Sequence, residues 1–355
     1  MSNRSSGKSS NAGDHHGHRT LNQNPIFEIA SSIFLTLAAI GFRRGKKCCG
    51  PCARKKRFRG PMQKATVTGL GAASTAYLIW GLSPIYWKSL AAVPAFEILM
   101  HRMIWSFVFL LPLIFLTDHR NAFKKAISSP RVMLILLATT LLVGFNWFLF
   151  IWAINSDHIL QTSLGYYINP LVNVLLGMIF LRERLRRVQM IALFLAAFAV
   201  GLMTVRYGHF PWVSLALAFS FAFYGLIRKI APVGALVGLT IETMLLSIPA
   251  IGYLVYIDTL GKGAFLRVSA GMDVLLMGAA LVTALPLLLF TVGARRLHLS
   301  TIGFLQYIAP SCTFLLAILV YGEPLVRGQL LTFILIWTAL ILFSVDSVVY
   351  YRKNE

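Results

Sequence analysis

The chain has 355 residues, 57% of them hydrophobic and 13% charged, with a mean hydropathy of +0.72 and a formal net charge of +21. Soluble globular domains carry about 25% charged residues, so this composition excludes a water-solvated domain and points to a polytopic membrane protein. The excess charge is no nucleic-acid footprint, because it is divided between a basic leader and short loops separating apolar runs, as the positive-inside rule requires.

Residues 1–24 are rich in Ser, Asn, Gly and His, including His15, His16 and His18, and read as disordered. An apolar stretch over 26–42, containing Glu28, follows, and then a Lys- and Arg-rich run over 43–60. The stretch is short for a span, and its basic block lies behind it, whereas a secretory signal carries its positive region in front. An eleventh span or an interfacial helix is the ordered alternative. The expectation is that 1–61 is a dispensable leader or a start-site artefact, with Met62 opening the strongly periodic part. Cys48, Cys49 and Cys52 lie in the leader and Cys312 in an apolar run. Without a second set of spaced ligands the cluster reads as reduced thiols, and neither a metal nor another cofactor is implied.

From Met62 onward, ten apolar runs lie near 66–87, 97–117, 131–154, 159–181, 187–205, 210–229, 235–257, 273–293, 299–321 and 328–350. Each has about the length that crosses a hydrocarbon core. Backbone groups in lipid must be satisfied within the segment, so each run is expected to be a helix, giving an all-α membrane protein with ten transmembrane helices. One set of loops and ends holds Lys64, Arg120, Lys124, Lys125, Arg131, Arg182, Arg184, Arg186, Arg187, Arg228, Lys229, Arg295, Arg296, Arg352 and Lys353. The alternate set holds only Lys88, Arg206, Lys262, Arg267 and Arg327. This asymmetry predicts that both termini of the 62–355 core face the cytoplasm.

Shifted against itself by 140 residues, the sequence pairs Tyr167 with Tyr307, Pro170 with Pro310, Glu183 with Glu323, Arg187 with Arg327 and Gln189 with Gln329. Upstream, His158 meets His298, and a slightly different offset brings Gly81 onto Gly225 and Glu97 onto Glu242. Two five-helix halves follow, 62–205 and 206–355. Five is odd, so the second half enters the membrane inverted, and the loop charges record it: Arg182, Arg184 and Arg186 become Gly322, Pro324 and Val326, while Asn155 and Ser156 become Arg295 and Arg296. Inverted repeats of this kind are characteristic of secondary transporters, whose substrate site lies near the midplane between the halves.

Several stretches carry a family likeness. They are Tyr77-Leu-Ile-Trp80-Gly81-Leu-Ser-Pro84, Pro94-Ala-Phe-Glu97-Ile-Leu-Met-His101-Arg102-Met-Ile-Trp105-Ser106, Gln161-Thr-Ser-Leu-Gly165-Tyr-Tyr-Ile-Asn169-Pro170-Leu and Phe223-Tyr224-Gly225-Leu-Ile-Arg228-Lys229. In this order they closely resemble the RarD-type permeases of the EamA group in the drug/metabolite transporter superfamily. The resemblance covers 62–355 and implies ten helices in an inverted five-plus-five repeat, residence in the bacterial cytoplasmic membrane, and movement of small organic solutes. The family label carries an association with chloramphenicol sensitivity.

Matched helix interruptions point to a binding site, and Pro170 with Pro310 is such a pair, since proline removes a backbone donor and crowds the preceding turn. Around them Gln161, Tyr166, Tyr167, Asn169, Asn173, Gln306, Tyr307 and Thr313 offer stacking surfaces and neutral hydrogen bonds suited to an organic solute. Trp80 and Asn146, with Trp147 and Tyr224, are further cavity candidates. The alternative is that these groups bind helix to helix and the prolines only kink them. Glu97, His101 and Arg102 form a second group, read either as an outer gate or proton relay or as an interfacial ion cluster with Arg102 snorkelling. Glu242 has no cation near it on its own helix, so an unpaired carboxylate able to take up and release a coupling proton is expected; pairing with Arg228, Lys229, Arg295 or Arg296 is the alternative. Asp157, His158 and His298 read as solvated residues at helix ends.

These features lead to a secondary transporter moving a small organic solute, metabolite or drug by alternating access, with proton coupling as an added expectation. A solute channel or, further off, a membrane-embedded enzyme is the competing class. No H-E-x-x-H, Walker glycine loop or paired-carboxylate constellation occurs in the chain, so no catalytic residue is assigned. The expected partners are the bilayer and the solute, without nucleic acid; a homodimer is compatible with the sequence.

Overall fold

The computed structural model describes residues 61–156, 159–207, 210–322 and 327–353. The readings of the leader, and those of Asp157, His158 and Glu323, lie outside the described residues.

Among the described residues the chain forms twelve helices and no strand. They are α1 (Pro61–Lys88), α2 (Ala95–Leu116), α3 (Arg120–Ile127), α4 (Pro130–Asn155), α5 (Ile159–Phe180), α6 (Arg187–Tyr207), α7 (Trp212–Ile230), α8 (Ala235–Thr259), α9 (Ala270–Arg296), α10 (Leu299–Gln306), α11 (Ile308–Leu319) and α12 (Arg327–Lys353). Among the described residues nine segments, counting α10 and α11 together, are long and apolar enough to cross a membrane. The tenth expected span is α1, whose 28 residues suffice in length but which is diluted by Thr, Ser and Gly. It lies against α9 and α11 in the bundle. The short α3 is a connector: Ala126 is buried in a cluster with Ile114 and Leu136, while Lys124 and Lys125 occupy its last turn.

Packing follows an exchange of two five-helix halves. The first helix of each half lies against the third of the other (α1 on α9, α7 on α4) and against its fourth (α1 on α11, α7 on α5). The second and third helices also exchange, α2 with α9 and α8 with α4, and like meets like in the pairs α2–α8, α5–α10 and α6–α12. The main helix contacts therefore run between the halves, where an interface can be remodelled. For orientation, the end holding residues 117–129, 181–186 and 297–298 is called the basic end, and the opposite end, holding residues 89–94 and 260–269, the far end.

The two prolines behave differently. Pro170 sits within a continuous α5, whereas the fourth helix of the second half breaks at Tyr307 between α10 and α11. The expected matched interruption is thus one-sided: Pro310 cannot donate to the carbonyl of Gln306, and the helix parts there. The residue facing Pro170 of α5 is Gly303 on α10, where an added Cβ would stand 2.6 Å from the Pro170 carbonyl oxygen. Backbones this close tolerate only glycine. Gly303→Ala should therefore lower stability by about 1–3 kcal/mol, the cost of overpacking, seen as a lower thermal midpoint in detergent. Gly201→Ala, whose Cβ would meet nothing within 4 Å, is the control expected to leave the midpoint unchanged.

Candidate functional site

Arg102 lies seven residues into α2 from the far end, about 10 Å down the helix. Its Nε donates to Thr283 Oγ1 on α9 at 2.8 Å. Its guanidinium lies 4.8 Å from the ring centre of Trp87 on α1 and 5.2 Å from that of Trp147 on α4. Tyr166 on α5 is near enough for its hydroxyl to interact with the Arg102 charge, and its ring packs on Phe150. Five helices converge on this point, yet Tyr166 is 49% exposed. With Arg102 meeting α1, α4 and α9 beside it, we read this open face as bordering a gap between the far halves of α1, α2, α4, α5 and α9.

Below this gap, toward the basic end, an aromatic layer fills the bundle. Trp80 meets Tyr77, Phe221 and Phe290 at ring separations of 5.6–5.9 Å, and Phe221 lies 5.3 Å from Phe290. Tyr224 stacks on the same Phe290 and carries the layer to the next polar group. Trp80 is thus held by three other rings in a floor across the bundle.

Glu242 on α8 lies beneath that floor and is only 1% exposed; Arg228 on α7 is fully buried. Thr139 donates to Glu242 Oε1 at 2.6 Å, Tyr224 to Oε2 at 3.2 Å, and Arg228 Nε stands 3.5 Å from Oε1. The expectation of an unpaired carboxylate is corrected in favour of its stated alternative: the cation is Arg228, on the preceding helix and fourteen positions earlier in the chain. Gly238 makes the room, since a Cβ there would overlap the Arg228 guanidinium at 1.9 Å. Arg228 Nη2 also donates to the Ala235 carbonyl at 3.1 Å, whereas its Nε and Nη1 make no hydrogen bond.

Most of the predicted polar lining is turned into helix contacts. Asn173 donates to Asn169 Oδ1 (3.1 Å) and to Gln306 Oε1 (2.7 Å), joining α5 to α10. Gln161 Oε1 accepts from the Val213 amide at the start of α7, and the Ser214 hydroxyl donates to the Gln161 carbonyl. Tyr307 is buried and donates to the Tyr167 carbonyl at 3.2 Å, while Tyr167 packs on Phe333. Asn146 donates to the Leu217 carbonyl and to Ser220, tying α4 to α7. Thr313, though exposed, donates to the Gly81 carbonyl at 3.1 Å. Of the residues set around the prolines, Tyr166 is the one that the structure brings to the Arg102 gap.

The group Glu97, His101 and Arg102 is divided, correcting its reading as one cluster. Glu97 and His101 lie one turn apart on one face of α2, and Arg102 is about 100° further round. Glu97 accepts the Ala264 amide at 2.7 Å, with His101 Nε2 at 3.8 Å from the same oxygen and its ring against Phe265. Together with Asp273, which accepts the Leu266 amide at 2.8 Å, they pin the far-end loop over 260–269.

The basic end is closed by contacts between the halves. Glu183, in the α5–α6 connection, accepts from the Leu299 amide (2.6 Å), the Ser300 amide (2.9 Å) and the Ser300 hydroxyl (2.8 Å) at the start of α10. His298 Nδ1 stands 3.6 Å from Glu183. Burial pushes the Glu183 carboxyl up, but His298 and the Ser300 and Leu299 donors outweigh it and hold it at about 2. Glu183 in turn raises His298 above its ordinary range, so His298, though largely exposed, is engaged rather than merely solvated. Within the second half, Lys229 donates to the Ala294 carbonyl at 2.8 Å and to that of Leu297, and Arg295 to those of Ala231 and Val233.

This arrangement places a guanidinium among aromatic rings toward the far end and a set of polar contacts across the basic end. Sequence reasoning missed Trp87, Thr283 and Thr139 as participants and gave Glu183 no role. Only the Glu183/Glu323 repeat identity marked that last position. Among the described residues no group of three or more His, Cys, Asp or Glu side chains is placed to hold a metal.

Residues 67–205 match the EamA-like transporter family. The chain is 49% identical over 290 residues to an uncharacterized transporter of Vibrio cholerae, covering 82% of this chain and 96% of that protein. It is 46% identical over 292 residues to protein RarD of Escherichia coli K12, covering 82% and 99% of the two chains. A protein of known crystal structure superposes with a TM-score of 0.61 at 18% identity, over 79% of this chain and 96% of the other, a likeness of fold.

Proposed function

The chain belongs to the EamA-like transporter family, as a RarD-type permease, and from that premise we propose that it carries a small organic solute across the bacterial cytoplasmic membrane by alternating access. In this reading the basic end faces the cytoplasm, following the loop charges, and the far end faces outward. The observation that carries it is the asymmetry of the pathway. Tyr166 and Arg102 border a gap in the far half, the rings of Trp80, Phe221 and Phe290 fill the bundle beside it, and the Glu183 contacts tie the halves together at the basic end. A carrier needs one closed end in each state; a channel needs a continuous path.

The test is labelling of single cysteines in place of Tyr166 and of Ala294, in a chain whose four native cysteines are replaced by serine. An impermeant thiol reagent is expected to reach position 166 from outside and position 294 from the cytoplasmic side only when position 166 is protected. Simultaneous reaction at both positions from their respective sides would replace the carrier reading with a channel.

Proton coupling is the finer part of the proposal and is placed at Glu242. What favours it is the loose contact with Arg228, 3.5 Å at Nε with two guanidinium nitrogens lacking hydrogen bonds. A proton arriving on Glu242 would cancel the pair, and α7 and α8 could then separate. The partners are the bilayer and the solute, and a homodimer is compatible with this reading.

A further inference from the structure

We propose that Arg102 is the recognition point for the solute and that the solute is an organic carboxylate anion. The proposal rests on the carrier reading above and adds the substrate's chemical class. It begins from a charge left over. A cation this deep in a spanning helix is costly and is ordinarily paired. Arg228 is answered by Glu242, Arg186 by Asp346 at 2.5 Å, Lys229 and Arg295 by backbone carbonyls. For Arg102, no carboxylate among the described residues lies within 4.0 Å; the Thr283 hydroxyl and two indole faces are what it meets, with the Tyr166 hydroxyl nearby.

Nor does the side chain snorkel. A snorkelling arginine extends along lipid toward the headgroups, whereas Arg102 is held inward between α1, α4 and α9 by Trp87, Trp147 and Thr283. The Thr283 bond uses Nε and so fixes the guanidinium, leaving Nη1 and Nη2 without a hydrogen bond among the described residues. Those two nitrogens form the fork that binds a carboxylate through two parallel hydrogen bonds. The indoles stabilise the cation through their faces. With Tyr166 they also line the gap with apolar surface that an inorganic anion would leave unused. An organic body bearing one carboxylate satisfies both the fork and the walls.

The same pairing gives loading a consequence for transport. An empty site keeps a full positive charge inside the bundle, and closing the far end over it would strip that charge of water. A bound carboxylate cancels it, so the loaded site closes at lower cost than the empty one. A guanidinium stays charged across the physiological range, so recognition holds whatever the protonation state of other groups.

The test uses the purified full chain in lipid nanodiscs, with phenylacetate and benzoate as probes against their uncharged amides and inorganic phosphate. Saturable binding of at least one carboxylate is expected, with the matching amide and phosphate failing to compete. Arg102→Lys, which keeps the charge but loses the fork, should weaken it at least tenfold, and Arg102→Met should abolish it. Thermal midpoints of both variants separate lost recognition from lost folding, and Thr283→Val, which frees Nε without removing charge, should weaken binding severalfold. Equal binding of acid and amide, binding of phosphate alone, or carboxylate binding unchanged in Arg102→Lys and Arg102→Met would overturn the proposal. In proteoliposomes, saturable flux of an uncharged solute that survives Arg102→Met would overturn it while leaving the carrier reading intact. Arg102-dependent carboxylate binding without any flux would do the reverse.

Discussion

Glu242→Gln is expected to destabilise the protein by about 3–5 kcal/mol, the range seen when one member of a buried ion pair is removed and the other is left charged. Glutamine keeps the shape and can still bond Thr139 and Tyr224, so the loss isolates the charge on Arg228, which is fully buried. Adding Arg228→Met removes the stranded charge, and the double variant should recover most of the wild-type thermal midpoint. A single variant as stable as wild type would mean that Arg228 finds another counter-ion. The same pair of variants tests coupling separately from folding. If Glu242 carries the proton, pH-gradient-driven uptake into vesicles is lost in both, including the double variant that folds normally. Uptake that still follows the gradient in the double variant removes Glu242 from the coupling step while leaving the stability argument untouched.

Why the sequence reveals the spans but not these partners is a matter of which forces act along the chain and which act around it. Lipid demands that each apolar run satisfy its own backbone, so α2, α4, α5 and the rest follow from length and hydropathy, and the loop charges follow their ends. Rotation about a helix axis is set by its neighbours instead. Asn169, Asn173 and Gln306 are visible as polar residues in apolar runs, but whether they line a gap or join α5 to α10 depends on facing side chains that no local pattern encodes. Arg102 sits next to His101 in sequence and points elsewhere. Arg228 reaches Glu242 across an interhelical space. Pro170 and Pro310 match in the repeat, yet the break falls at Tyr307 alone, while the unbroken α5 keeps Pro170 backbone to backbone with Gly303 of α10. Repeat identities fared better with Glu183, since a carboxylate kept through a change of loop charge marks a role other than orientation.

At the basic end, Glu183→Gln is expected to loosen the closure between the two halves by about 3 kcal/mol. The residue at the cap position of α10, His298, makes no side-chain bond to the helix, and Glu183 supplies the cap from another part of the chain. Its side chain is only 6% exposed, so the favourable field of the helix start acts with little screening. The carboxyl lies at about 2 in the folded protein against an ordinary 4.5. A folded value below the unfolded one means the contribution is complete above about pH 4.5 and is lost as pH falls toward 2. His298 has the opposite sign: raised by Glu183, it adds stability below its ordinary value of 6.5 that fades as pH rises through its folded value. In wild type the thermal midpoint should therefore fall between pH 4.5 and 2 more steeply than in Glu183→Gln. Because the same contacts must break whenever the basic end opens, losing about 3 kcal/mol shifts that opening on the order of 100-fold. A cysteine at Ala294, buried behind the clasp, should then react with a cytoplasmic reagent correspondingly faster in Glu183→Gln. An unchanged rate, with an acid transition like wild type's, would show that the carboxylate caps α10 without holding the end shut.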